Sequence, residues 1–278
     1  MSIWTAILLT GLVWIGLRAF APFAVFLRSW AQDLPFEAAA ALVQADPVTL
    51  AALQAAVIGA TLALGVRGLP RDLALREALL VRPVPLRMLA LSLLGGAAMQ
   101  LPLAEIANVV SERFPVPVDF QLIHRQLVTP DGWVEGVGVV MAFIVVAPVA
   151  EELLFRGLLL PSLAPRYGRW FAVAVTAALF GSVHLDRGLL SAAVPALAAG
   201  FVFGAMAMKT RSVLPTIMAH AGNNALVLLL PERLVRIEGL NTLGEQVYHL
   251  DPWLLSGGTA LALACLGWVI LGAHETTE

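Results

Sequence analysis

Long apolar runs separated by short polar segments recur along the whole chain. A helix that crosses a bilayer needs about 20 mostly apolar residues. The pattern predicts an all-α, polytopic helix bundle with about eight transmembrane helices and a single membrane domain over 1–278. The expected spans lie near 3–27, 48–66, 87–105, 133–155, 170–185, 189–208, 212–230 and 253–273.

The composition supports a lipid-facing surface. Hydrophobic residues make up 59% of the chain and charged residues only 13%, whereas about a quarter of a soluble domain is charged. The lipid bilayer is therefore the expected partner, and a net charge of −2 gives no reason to expect nucleic acid. The single cysteine, Cys265, excludes a disulfide framework within the chain and a cysteine-rich metal site.

Basic residues favour a cytoplasmic N-terminus and C-terminus, because cytoplasmic loops are enriched in Lys and Arg. The arginine-rich composition favours the inner (cell) membrane of a bacterium. AFA at 19–21 precedes Pro22, a poor cleavage context, so we expect the first run to remain as a span. In this orientation the inside segments hold Arg67, Arg71, Arg76, Arg82, Arg87, Arg156, Arg166, Arg169, Lys209 and Arg211, and the outside segments hold Arg28, Arg113, Arg125, Arg187, Arg233 and Arg236.

Two acids, Glu151 and Glu152, end an apolar run, and Arg156 follows them in EELLFR. Glu152 and Arg156 are four residues apart, so they share a helix face and can pair. Glu151 points about 100° away and can face a cavity. Taken alone, this motif is better explained as a pair of acids at the membrane boundary, one of them neutralised by the arginine.

Two further pairs have the same helical spacing of four residues. Phe180 and His184 lie in LFGSVH, at the end of a span, and taken alone this histidine is better explained as one that faces headgroups. His220 and Asn224 lie in HAGNN, inside an apolar run. There they can form hydrogen bonds between helices, but together with the other groups they favour a functional site.

The other polar or small-residue features indicate structure rather than chemistry. Gly200 and Gly204 in FVFGAMAM form a small-xxx-small face that allows close helix packing. Arg18 is expected to snorkel or to pair, and Glu105 and Glu135 are expected to lie at the membrane interface. The histidines outside the motifs are expected to be solvated in loops or the tail; they are His124, His249 and His274.

The three motifs together can support hydrolysis, since a carboxylate can take a proton from water and donors can hold an oxyanion. Other membrane and nucleotide chemistries lack their motifs. The chain has no HExxH, no GxSG around a serine, no GxGD and no P-loop.

EELLFR at 151–156, FGSVH at 180–184 and HAGNN at 220–224 resemble the three motifs of the CAAX prenyl protease 2 family, also called Abi or bacteriocin-processing intramembrane proteases. The resemblance covers about 130–230, the expected protease core. It implies an eight-helix bundle around a conical cavity that opens to the cytoplasm. It also implies an intramembrane endopeptidase, a hydrolase that acts on membrane-associated proteins or peptides.

The resemblance assigns roles to the motif residues. Glu151 and His184 would activate the attacking water, and His220 and Asn224 would stabilise the oxyanion. The supporting residues would be Glu152, Arg156 and Phe180, with Phe180 packed beside His184.

Three alternatives stay open at this stage. A zinc-dependent version of the same protease could use two histidines and a glutamate, although asparagine is an uncommon zinc ligand and we expect no metal or other cofactor. A non-catalytic relative could act as an immunity factor or scaffold. A small transporter would predict internal repeats or paired half-helices, and the sequence shows none.

Overall fold

The computed structural model describes residues 1–44, 46–69, 74–118, 121, 130, 132–185, 189–242 and 246–272. Within these residues the regular structure is entirely helical, which confirms the all-α prediction. The helices are α1 (Ile3–Gln32), α2 (Phe36–Gln44), α3 (Pro47–Val66), α4 (Leu75–Ala78), α5 (Leu86–Arg113), α6 (Trp133–Tyr167), α7 (Arg169–Val183), α8 (Leu190–Thr210), α9 (Leu214–Leu229) and α10 (Pro252–Gly272).

Six of these helices are long and apolar enough to cross a membrane: α1, α3, α5, α6, α8 and α10. The chain is therefore a polytopic membrane protein. Helix α7 has 15 residues and α9 has 16, which at about 1.5 Å per residue falls short of a hydrocarbon core of about 30 Å. Both shorter helices lie where spans were expected, and their full crossing stays a prediction.

Exposed tryptophans mark the ends of several spanning helices. Trp4 and Trp30 lie near the two ends of α1, and Trp133 and Trp253 lie at the starts of α6 and α10. Their exposed fractions range from 73% to 85%. Amphipathic tryptophan rings favour the membrane–water interface, so these positions fit the two boundaries of a bilayer.

Helix α6 is longer than the predicted span 133–155, because the helix continues through Glu151 and Glu152 to Tyr167. Two π-helical segments, Met141–Val146 and Leu153–Leu159, interrupt it. Pro148 and Pro161 follow these segments, and each lacks the backbone N–H that a regular turn needs. The helix therefore does not end at the two acids, since the π segments flank them in its middle, and the end of the membrane span along α6 stays a prediction.

Two other spans extend beyond their predicted limits, since α1 continues to Gln32 and α5 to Arg113. Helix α2 was not predicted. It packs on α1 through a small cluster around Val25 and Val43.

The backbones of helices α5 and α9 lie so close together that no side chain fits between them at two positions. A Cβ atom on Gly96 would collide with the backbone of Ala219, and one on Gly222 would collide with the carbonyl of Leu93. Only glycine fits at these two positions. The contact fixes the part of α9 that carries His220, the histidine next to Ala219.

The helix termini define two ends of the bundle. At the Met1 end, the N-terminal ammonium donates to the carbonyl of Ser162 (3.2 Å), and Ile3 N–H donates to Tyr167 Oη (3.2 Å). At the other end, here called the His249 end, Asn108 donates to the carbonyl of Gly239 (2.8 Å).

His249 was expected to be solvated in a loop, but both of its ring nitrogens are engaged. Nδ1 lies 2.7 Å from Glu105 Oε1 and Nε2 lies 3.1 Å from Glu112 Oε1. The imidazole therefore ties the segment before α10 to the end of α5. Contact with Glu105 raises the pKa of His249 most, and Glu112 adds to it.

Some sequence predictions fall outside the described residues. These concern His124 and His274, and the charges of Arg71, Arg125 and Arg187. Arg18, which was expected to snorkel or pair, lies over the ring of Trp14, 3.6 Å from its centroid.

Candidate active site

A buried ion pair lies at the centre of the bundle. Arg156 Nη1 donates to Glu152 Oε1 at 2.9 Å, and neither side chain has exposed surface. The pairing confirms the expectation from their spacing of four residues. A buried charge is costly unless it is paired, so each of the two residues depends on the other for its stability at this position.

The rest of the arginine is held by α8 and by aromatic rings. Nη2 donates to the carbonyl of Gly200 at 3.0 Å. The guanidinium lies 4.4 Å from the ring centroid of Phe180 and 5.4 Å from that of Phe203. Gly200 was expected to serve close packing; its position also leaves room for the guanidinium, since a Cβ there would lie 3.3 Å from Nη2.

His220 links the two glutamates. Its Nδ1 lies 3.1 Å from Glu152 Oε1, and its Nε2 lies 4.0 Å from Glu151 Oε2. An ionised carboxylate only accepts hydrogen bonds, so Nδ1 of His220 carries a proton and donates a hydrogen bond to Glu152. Phe203 stacks on the imidazole at 5.3 Å, which restricts its rotation.

His184 caps the end of α7. Its Nδ1 lies 2.8 Å from the carbonyl of Phe180. Because a carbonyl only accepts, Nδ1–H is the donor and the neutral ring presents its lone pair on Nε2. The Phe180 ring packs against His184 with centroids 4.6 Å apart. This side chain therefore has the tautomer that a general base needs.

The side-chain amide of Asn224 makes two hydrogen bonds within the protein. Its amide nitrogen donates to the carbonyl of Phe143 at 2.8 Å, and its amide oxygen accepts from the neighbouring Asn223 at 3.3 Å. An NH₂ group has two hydrogens, so one donor remains for a ligand. Phe143 belongs to the first π segment of α6, which ties α9 to α6 at the site.

The two histidines and the asparagines face one cavity of about 230 Å³, formed between α5, α7, α8 and α9. Its walls are apolar apart from a few groups that converge on it, which is typical of a binding site. The polar lining residues include Gln100, His184, His220, Asn223 and Asn224. Glu151 borders this group through His220.

Sequence reasoning missed several residues of the site. Gln54 of α3 donates to Glu151 Oε1, Phe203 packs on His220, and Gln100 and Asn223 line the cavity. Gln54 was detectable, because it is the one amide within the apolar run 47–66. A polar residue at membrane depth needs a partner or a function, and this holds for Gln54 as it does for His220 and Asn224.

The donor set does not fit a zinc ion. Zinc in proteins takes three or four His, Cys, Asp or Glu ligands. Among the described residues no group of three such side chains is arranged to hold a metal. Nδ1 of His220 faces Glu152 and Nδ1 of His184 faces a carbonyl, which leaves only Nε2 on each ring for a ligand.

The cavity lies towards the His249 end. It is lined by Ala107, one residue before Asn108, by His184 at the end of α7 and by Ser191 at the start of α8. The N-terminus lies at the opposite end. The N-terminus and the cavity therefore lie towards opposite ends of the bundle, whereas the sequence favours a cytoplasmic N-terminus and the family resemblance implies a cytoplasmic opening.

Comparisons with known proteins agree with the chemistry of the site. Residues 133–226 match the model of a family described as type II CAAX prenyl endopeptidase Rce1-like, over about one third of the chain. The matched segment contains Glu151, Glu152, Arg156, His184 and His220.

A similar protein comes from Bacillus subtilis (strain 168) and is described as "Putative membrane peptidase YdiL". It is 29% identical over 117 residues, which cover 42% of this chain and 44% of that protein, so less than half of the relative's length is matched. No solved structure matches significantly. Residues 133–226 are therefore similar to the Rce1-like family of type II CAAX prenyl endopeptidases.

Proposed function

We propose that the chain is an intramembrane endopeptidase that hydrolyses a peptide bond of a membrane-associated protein or peptide. The observation that carries the proposal is the arrangement around His220. One carboxylate, Glu152, is neutralised by Arg156, while the other, Glu151, is buried beside the histidine without a cationic partner of its own within hydrogen-bonding distance in the described chain. Two acids in such different surroundings can take different roles.

Glu151 and His184 are the proposed bases. The water oxygen attacks the peptide carbonyl carbon and its proton passes to Glu151 Oε2 or His184 Nε2. Collapse of the tetrahedral intermediate then breaks the C–N bond, and the same proton goes to the leaving amine. Neither receiving atom has a hydrogen-bond partner among the described residues.

His220 and Asn224 are the proposed oxyanion donors. Asn224 has its second amide hydrogen available, and His220 can donate through Nε2 when both ring nitrogens carry protons. Donors fixed before the reaction stabilise developing negative charge at little reorganisation cost. Phe203 and Glu152 hold the His220 ring, and the carbonyl of Phe143 holds Asn224.

The test is cleavage of a panel of fluorogenic lipidated peptides and membrane peptides by purified protein in detergent. Wild type is compared with Glu151→Ala, each with and without a metal chelator. Cleavage by wild type that survives chelation and disappears in Glu151→Ala supports the glutamate mechanism.

Two other results would change the proposal. Cleavage that chelator abolishes favours the zinc-dependent version, despite the poor fit of the donor set. If no peptide is cleaved by wild type, the non-catalytic immunity or scaffold function gains support.

A further inference from the structure

Gln54 is a polar side chain that lies in an apolar membrane helix. Helix α3 is otherwise apolar apart from threonines, and an amide at membrane depth is costly unless it finds a partner or a function. Thr61, two turns further on, bonds to the carbonyl of Val57 in its own helix. Gln54 instead reaches another helix.

The partner of Gln54 is the carboxylate of Glu151, to which its amide nitrogen donates through Oε1. The identity of the donor atom follows from chemistry, because a carboxylate oxygen accepts and only the NH₂ end of the amide donates. Helix α3 packs along α6, where Gly65 lies against Leu158 and Val48 lies against Gly138. The two helices are therefore in close contact on both sides of Gln54.

The contact makes the two carboxylate oxygens of Glu151 different. Oε1 is held by Gln54, whereas Oε2 is buried, has no hydrogen-bond partner in the described chain and lies 4.0 Å from Nε2 of His220. A carboxylate held by one oxygen keeps its other oxygen in a fixed direction. Oε2 is therefore the atom that can receive a proton next to His220.

We propose that Gln54 is a positioning residue that fixes the Glu151 carboxylate so that Oε2 faces the reacting water. The inference rests on the proposed function. It adds a residue of α3 to a site whose proposed bases and oxyanion donors lie within 133–226, the part of the chain that matches the family.

The test variant is Gln54→Met, which has a similar length and no donor. We expect kcat to fall by about 10- to 100-fold, because a small misplacement of a catalytic group costs on that order, while KM stays within about twofold. Thr61→Val is the matched control, since it removes a polar group from the same helix away from the site, and it should keep both constants. If Gln54 served only for packing, Gln54→Met would lower the thermal midpoint without lowering kcat while KM stays unchanged.

A double-mutant cycle of thermal midpoints in detergent tests the contact without relying on activity. We expect Gln54→Met and Glu151→Met to be non-additive, because each removes the same hydrogen bond. Additive shifts, or an unchanged kcat in Gln54→Met, would overturn the inference. If Glu151→Gln itself cleaves the fluorogenic peptide as fast as wild type, the proposed function fails instead, and the cycle still reports whether the contact exists.

Discussion

Arg156 is a fully buried guanidinium inside a membrane protein. Its Nη groups bond to Glu152 and to the carbonyl of Gly200, and its face lies against Phe180. Removing one partner of a buried pair leaves the other charge uncompensated. Arg156 therefore supports the fold and, through Glu152 and His220, the orientation of the site.

The variant Arg156→Met should lower the free energy of unfolding by about 3–5 kcal/mol, because Glu152 would be left buried without its cation. The measurement is an unfolding titration in mixed micelles. Arg166→Met, at an exposed position on the same helix, serves as the control and should be nearly neutral. Equal stabilities of the two variants would show that the buried pair contributes little.

His249 should make stability depend on pH. Its pKa is raised, first by the hydrogen bond to Glu105 and then by that to Glu112. A raised pKa in the folded state means that its contribution is complete below the ordinary value of 6.5 and is lost as the pH rises through the raised value. We expect the thermal midpoint of His249→Gln to fall below that of wild type at about pH 5.5 and to match it at about pH 9. A difference that does not change with pH would contradict this account.

At the scale of helices, the contact of α5 with α9 depends on the absence of side chains. Gly96→Ala should separate the two helices or bend them, since the new Cβ meets the backbone of Ala219. Overpacking of this kind typically costs about 1–3 kcal/mol, and His220 should move with α9. The measurements are the thermal midpoint and the rate of peptide cleavage. Gly267→Ala in α10, where a Cβ meets open space, should reduce neither.

The positions of the six membrane-length helices were predictable, because apolar runs of that length have few alternative structures. The pairing of Glu152 with Arg156 was also predictable, since it lies within one helix. The extension of α6 to Tyr167 is not predicted, because two acids after an apolar run indicate the end of a span. The contact of Gln54 with Glu151 joins residues 97 positions apart, and no local pattern reports which two helices are neighbours.

For the whole molecule, the orientation in the membrane decides which compartment the cavity meets. The basic residues predict a cytoplasmic Met1 end, and the cavity then faces the opposite compartment. In a Cys265→Ala background, an impermeant maleimide should label Arg236→Cys on intact bacterial cells and Arg169→Cys only after permeabilisation. The reverse pattern would contradict this orientation and would place the cavity on the cytoplasmic side.

The most direct test of the central proposal is the kcat/KM of Glu151→Gln for the peptide that wild type cleaves best. Glutamine keeps the shape of the side chain but cannot take a proton from water. We expect a loss of at least about 100-fold, in line with the contribution of a general base. The control is Glu135→Gln, at an exposed acid near the start of the same helix, which should retain wild-type activity. Full activity in Glu151→Gln would contradict the proposal that this carboxylate activates the water.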